Sequence, residues 1–250
     1  MPDLDAIPSL RAAGPAAPHD AMVADVMVAD VMHDVLAVGR PDSDAALHGA
    51  LLARLAALGR PARVTILGAG VAGCEYAELL AALGHRVTLV DPQPRPLAAL
   101  TPPPLAAALV RAWKTLPIML RLGGTVDAVE RGAAGLRVRL ADGASVPADV
   151  VLAAASAPAA FSFGHVVVNV RTPRCRLALC PPPAGLAGEW QLQTQGGALV
   201  ARFVDDDGIV RGFGATQPAP ALARELLGGL GGSAPAALHG GAFPAPHAAH

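Results

Sequence analysis

Apolar positions along this chain fall into short runs punctuated by glycine and proline, and their most ordered succession lies between residues 61 and 157. Val64-Thr65-Ile66-Leu67 reads as a short apolar strand, and residues 74–83 carry apolar side chains at helical spacing, with Gly84 placed to end that helix. Arg86-Val87-Thr88-Leu89-Val90 reads as a second strand closed by Asp91. After a proline-rich loop over residues 92–104, the spacing predicts a helix over 105–116 and a third strand over 118–122. Residues 125–131, 136–141 and 145–147 alternate around Gly135 and the turn Ala141-Asp142-Gly143, which predicts a β-meander. Residues 149–154 return as a strand apolar throughout, the pattern of a strand covered on both faces of a parallel sheet.

The flanking regions carry other patterns. Residues 1–42 give no periodic signal: Gly14, Pro15 and Pro18 interrupt the start, and Met-Val-Ala-Asp-Val occurs twice in succession over residues 22–31. A five-residue period builds neither a helix face nor a strand face, so this region is expected to be poorly structured. Residues 43–60 predict a lead-in helix, capped by Ser43 or Asp44, bearing Leu47, Leu51, Leu52, Leu55 and Leu58, and ended by Gly59. Residues 165–230 read as short strands over 165–171, 175–180, 189–195, 199–204 and 209–214, with a hairpin turn at Asp207-Gly208 and a closing helix over 219–227. The predicted fold class is therefore α/β, a Rossmann-like domain with a β-meander over 61–157, followed by a small antiparallel α+β domain over 165–230. Residues 231–250, mostly Gly, Ala and Pro, are expected to form a disordered tail.

Composition narrows the function classes. A formal net charge of −1 over 250 residues supplies no long-range attraction for nucleic acid or an anionic membrane. Residues 150–170 contain no Asp, Glu, Lys or Arg and by length could span a bilayer. Pro158, Gly164, His165 and Asn169 within them favour a strand, a linker and a second strand. Cys74, Cys175 and Cys180 form no C-x-x-C, which argues against a dithiol motif or a disulfide framework and fits a reducing cytoplasm. The opening Met1-Pro2-Asp3-Leu4-Asp5 is unlike a signal peptide. His19-Asp20, His33-Asp34 and the tail histidines His239, His247 and His250 lack a matching cluster elsewhere, so no metal site is expected.

The chemistry sits between the first two strands. Gly68-Ala69-Gly70-Val71-Ala72-Gly73 is a G-x-G-x-x-G turn in its proper setting of strand, turn, helix, strand and acid. Gly68 permits the tight turn, Gly70 lets the backbone approach a pyrophosphate, and Gly73 lets helix and strand pack closely. The pyrophosphate rests on N–H groups at the helix N-terminus. Asp91 stands where a carboxylate meets the adenosine ribose; it accepts from a 2′-hydroxyl and repels a 2′-phosphate, so NAD(H) is expected over NADP(H). Arg86 and Arg95 flank Asp91, and neither is clearly placed to neutralise a phosphate. Cys74 reads as a small packing residue, since no histidine is positioned to activate it. No second G-x-G-x-x-G occurs in the chain, which implies one dinucleotide site.

These motifs carry a family resemblance. The stretch from Gly68 to Glu75, with the meander running through Asp142-Gly143 to Pro147-Ala148-Asp149-Val150-Val151, resembles the NADH-binding domain of FAD-dependent pyridine-nucleotide (disulfide) oxidoreductases. Arg171-Thr172-Pro173-Arg174-Cys175, Pro181-Pro182-Pro183, Gly188-Glu189-Trp190 and Gly208-Ile209-Val210-Arg211-Gly212 resemble the C-terminal domain of rubredoxin–NAD reductases. The resemblance implies NADH as cofactor, FAD as the family's flavin, and rubredoxin or a similar small redox protein as partner. It adds Glu75, near the nicotinamide in the family, and Ala154, at the end of the last strand, to the binding candidates. Glu75 also has a plainer reading, as an acid favoured by the dipole at a helix N-terminus.

The departures from the family pattern matter as much. Residues 1–60 hold no FAD fingerprint, and Val151 runs into the C-terminal module without the Gly-Asp segment that contacts the flavin. Ser156 stands where the family has a glycine after the last strand of the NADH domain. Flavin is what splits a hydride's two electrons into single transfers, so a chain without it is expected not to turn over alone. Three readings stay open: an NADH-binding chain that has lost its redox centre, a reductase whose flavin another chain supplies, and a non-catalytic NADH-responsive module that docks a redox partner. Surfaces that FAD segments would cover are expected to drive self-association.

Overall fold

The computed structural model describes residues 35–41, 45–132, 135–154 and 166–232. Five strands form a parallel sheet: β1 (Val35–Val38), β2 (Arg63–Leu67), β3 (Arg86–Asp91), β4 (Ile118–Leu122) and β8 (Val150–Ala154), in the order β1-β8-β2-β3-β4. The strand order reverses around β2: β3 and β4 extend to one side, while β8 and β1 pair in parallel on the other. A crevice at the carboxyl ends of β2 and β8 is where a doubly wound sheet binds its ligand.

Alternation along the parallel strands sorts side chains onto two covered faces. Val64, Ile66, Val87, Leu89, Val150 and Leu152 face three helices, α1 (Ala45–Ala57), α2 (Val71–Ala82) and α3 (Pro103–Ala112), and join their Leu51, Leu55, Leu80, Leu105 and Leu109 in one core. Leu67, Val90, Val151 and Ala153 face the antiparallel meander β5 (Val126–Gly132), β6 (Gly135–Leu140) and β7 (Ser145–Ala148) through Val126, Val129, Val138 and Leu140. Double coverage explains why β8 reads as apolar at every position.

The third layer is a five-stranded antiparallel sheet, β9 (Val168–Val170), β10 (Leu177–Cys180), β11 (Gly188–Gln195), β12 (Ala198–Asp205) and β13 (Val210–Thr216), in the order β11-β12-β13-β10-β9. Helix α4 (Pro220–Gly228) covers one face with Leu222 and Leu226 over Phe213, Val200 and Cys180. The other face packs inward through its central strands. Leu177, Leu179 and Ala201 enter the same core as Leu105 and Leu109, and a Cβ on Gly214 would lie 2.5 Å from Leu105 Cδ1. The antiparallel module is thus packed directly onto the helical layer of the parallel sheet.

Several bounds differ from the sequence reading, among them those of α2, which starts at Val71 and not at 74, and of β9 and β10, which are shorter than expected. Val35–Val38 is a strand, although it lies in the region read as poorly structured, because four residues are too short to show a period and their order comes from pairing with β8. Helix α3 starts two residues before the predicted 105 and ends at Ala112: Pro103 and Pro104 suit a first helical turn, while residues 113–116 form a tight turn before Pro117. The remainder of residues 1–42, the cap residues Ser43 and Asp44, Ser156 and residues 233–250 lie outside the described residues. Among the described residues no helix is long and apolar enough to cross a membrane, and Val150–Ala154 and Val168–Val170 within the uncharged stretch are strands.

Asp149 fastens β8 to β2. Its carboxylate accepts from Arg60 Nη1 and Nη2 at 2.9 and 3.0 Å, from Arg63 Nη2 at 2.8 Å and from the Arg63 backbone N–H at 2.8 Å. The Arg60 hydrogen bonds foremost, and those of Arg63 after them, hold its carboxyl well below the usual carboxylate range. A depressed native pKa contributes stability above the unfolded value of about 3.9, and that contribution is lost as pH falls through the native value. Asp149→Asn is therefore expected to be less stable than the parent at pH 7, and the difference should shrink below about pH 4. Urea unfolding at pH 7 and pH 3 checks this; an unchanged difference between the two would refute it.

Candidate functional site

The turn between β2 and α2 is held in place by backbone contacts. Gly68 has φ +105°, a conformation side chains rarely adopt, and its N–H donates to Val90 O at 2.8 Å. Gly70 caps α2 with an extended backbone and no side-chain cap, and the first turn of the helix carries no acid. Helix geometry leaves its first N–H groups without intrahelical acceptors, and the positive end of the dipole faces the same way. A Cβ on Gly73 would sit 1.8 Å from Gly68 O and 3.5 Å from the Ala154 Cβ. The third glycine is therefore what lets helix, turn and β8 meet.

Asp91 closes the site on the side of β3. It is 2% exposed; Oδ2 accepts from Ala69 N–H at 2.5 Å and Oδ1 from Gln93 N–H at 2.7 Å. Through these two bonds the carboxylate fixes the turn between β2 and α2. Gly68, Ala69, Gly70, Val71, Ala72, Gly73, Asp91 and Ala154 thus come together around the carboxyl ends of β2, β3 and β8. Cys74 is fully buried, its thiol is pushed up by that burial, and its Sγ lies 3.3 Å from Ala69 O, so it acts as a packing residue. Among the described residues no three His, Cys, Asp or Glu side chains gather to hold a metal.

Glu75 has protein partners. Its carboxylate accepts from Arg40 Nη2 at 2.5 Å and Nε at 3.1 Å, and from the Arg171 backbone N–H at 2.8 Å. Arg40 Nη2 also donates to Asn169 O at 2.6 Å. One helical turn on, Glu78 accepts from Trp113 Nε1 and from Arg174 N–H, each at 2.7 Å. Both carboxylates are buried, and together they tie α2 to the connection between β9 and β10 within the antiparallel module. Sequence reasoning missed Arg40, Glu78, Trp113 and Arg174. The available signal was two glutamates three residues apart on an otherwise apolar helix, a spacing that puts both on one side and demands buried partners.

A groove of about 540 Å³ lined by Arg63, Arg86, Thr88, Met119 and Arg121 lies at the opposite, amino-terminal ends of β2 to β4. Arg86 lines this groove, at the strand ends opposite the glycine-rich turn.

Comparison with known proteins agrees with this geometry. Residues 34–159 match the family model described as pyridine nucleotide-disulphide oxidoreductase, and residues 160–230 match the rubredoxin binding C-terminal domain. A rubredoxin-NAD(+) reductase of Alcanivorax borkumensis is 27% identical over 219 residues, covering 61% of this chain and 57% of the relative. One from Acinetobacter baylyi is 43% identical over 94 residues, covering 37% of this chain and 24% of the relative. The chain thus spans little more than half the length of the first and a quarter of the second. Among solved structures, the water-forming NADH oxidase from Lactobacillus brevis bound to NADH shares the fold at TM-score 0.63 and 15% identity, over 79% of this chain and 63% of that one. The putidaredoxin reductase of a covalent complex with putidaredoxin does so at 0.62 and 13%, over 78% and 62%.

Proposed function

The chain belongs to the pyridine nucleotide-disulphide oxidoreductase family, and from that premise we propose that it is an NADH:rubredoxin reductase-like protein that binds NAD(H) in the crevice of its parallel sheet and docks a small redox protein through its antiparallel module. The observation that carries the reading is the assembled turn: Gly73 against Gly68 O, the uncapped start of α2, and Asp91 bonded to Ala69 N–H. The pyrophosphate lies on the N–H groups of Val71 to Gly73, the adenosine ribose on Asp91, and the nicotinamide end toward Ala154. Bound NADH supplies a hydride; the chain's own groups orient it.

The described residues do not fit FAD. They hold one glycine-rich turn between a strand and a helix, and β8 leads to β9 through residues 155–167 alone. The chain is therefore expected not to turn over unaided. A second reading, an NADH-responsive module without catalysis of its own, is favoured by the Glu75 and Glu78 contacts, which connect the nucleotide helix to the docking module.

Calorimetric titration with NADH tests the proposal. Asp91→Ala is expected to weaken binding about 10- to 100-fold, the worth of hydrogen bonds to a charged acceptor, and NADPH is expected to bind the parent more weakly than NADH. Failure of the parent to bind NADH would overturn the reading. A flavin absorbance band in the purified protein would overturn the expectation of no turnover.

A further inference from the structure

Arg95 carries an unexplained group on the loop that follows Asp91. Its Nε is buried and has no hydrogen-bond partner among the described residues. Leaving an ionised donor buried without an acceptor is costly, and an orphan of that kind in a folded protein calls for a partner that completes it.

The loop that carries Arg95 is tied to the glycine-rich turn. Arg95 lies between Pro94 and Pro96, which restrict its backbone before any ligand arrives. The loop that carries it is anchored at three points: Gln93 N–H to Asp91 Oδ1 at 2.7 Å, Gly123 N–H to Gln93 O at 3.0 Å, and Leu97 N–H to Ala69 O at 2.9 Å. The last of these fastens the loop to the fingerprint turn itself, and Leu97 accepts a left-handed backbone, φ +55°, to make it. The turn from Gly68 to Gly73 contains no basic side chain. Arg86 begins β3 and stands about 16 Å from its Asp91 end, at some 3.3 Å per residue. Arg40 is engaged by Glu75.

We propose that Arg95 is a positioning residue for the dinucleotide, its guanidinium donating to the phosphate oxygens on the adenosine half while Asp91 takes the ribose. The proposal rests on the NAD(H) reading. A guanidinium beside a phosphate forms charge-assisted hydrogen bonds, and a pre-ordered loop avoids the entropy of fixing a long side chain on binding.

The test is calorimetry of the full chain with NADH across a range of NaCl concentrations, for the parent, Arg95→Gln and Arg95→Lys. The expected result is about tenfold weaker binding by Arg95→Gln at low salt, with a shallower loss of affinity as salt rises. Arg95→Lys, which keeps the charge, should retain most of the affinity and the parent's salt slope. Parent-like binding by Arg95→Gln would overturn the proposal. So would a weakened variant with the parent's salt slope, or a lysine variant as weak as glutamine, since either would mean that the side chain only shapes the loop. If the parent itself does not bind NADH, the functional reading falls, and that result is distinct from all of these.

Discussion

Replacing Gly73 by alanine is expected to abolish measurable NADH binding and to destabilise the protein by about 3 kcal/mol, at the upper end for overpacking a well-filled site. The added Cβ would stand 1.8 Å from Gly68 O, 3.0 Å from Gly68 C and 3.5 Å from the Ala154 Cβ. The obstacle is main chain, so no flexible side chain can swing aside. Relief requires moving either the turn or α2. Gly68 is bound to Val90 O and sits at φ +105°, and Ala69 is bound to Asp91, so moving the turn breaks contacts that hold the binding surface. Moving α2 withdraws its N-terminal N–H groups from the pyrophosphate position and strains the Glu75 and Glu78 contacts farther along. Gly49→Ala is the control: it lies in α1 with nothing within 4 Å of the added Cβ, and it should stabilise by about 0.5–1 kcal/mol without touching affinity. Urea unfolding and NADH calorimetry on both variants check the pair. Near-parental binding by Gly73→Ala would mean that the turn is not the nucleotide site.

What could be read from the chain follows the range of the forces involved. The β2–α2–β3 unit was legible because glycine spacing, apolar runs and a terminal acid are local signals, and Asp91 meets the turn because parallel pairing of β2 with β3 brings their carboxyl ends together. Strand β4 carries the predicted bounds, Ile118–Leu122, since an apolar run between Pro117 and Gly123 leaves little freedom. Strand β1 was illegible because its order is borrowed from β8, more than a hundred residues away in sequence. The partners of Glu75 and Glu78 were illegible for the same reason: Arg40 lies 35 residues from Glu75, and Arg171 and Arg174 lie 96 residues from their acceptors, separations over which no spacing rule operates. A buried acid on an apolar helix announces that a partner exists without saying which.

Removing one of those acids should show how much the shared core depends on it. Glu75→Ala is expected to cost about 3 kcal/mol, because it removes at once the acceptor that the Arg40 guanidinium and the Arg171 N–H share. The Glu75 side chain is 4% exposed and that of Arg40 30% exposed, so the arginine recovers part of its solvation and the figure lies at the low end for a buried pair. Arg40→Met should cost less than Glu75→Ala, since Glu75 keeps the Arg171 N–H. The double variant distinguishes a specific pair from general loosening: with both charges gone, neither is left buried and unpaired, so the combined loss should fall short of the sum by about 1 kcal/mol or more. Strict additivity in urea unfolding would refute the coupling. The same variants bear on function. Glu75 sits in the first half of α2, and its contact to Arg171 N–H joins the helix after the glycine-rich turn to the antiparallel module. If NADH binding is sensed by that module, Glu75→Ala should uncouple the two, leaving the nucleotide bound while docking of the redox partner no longer depends on it.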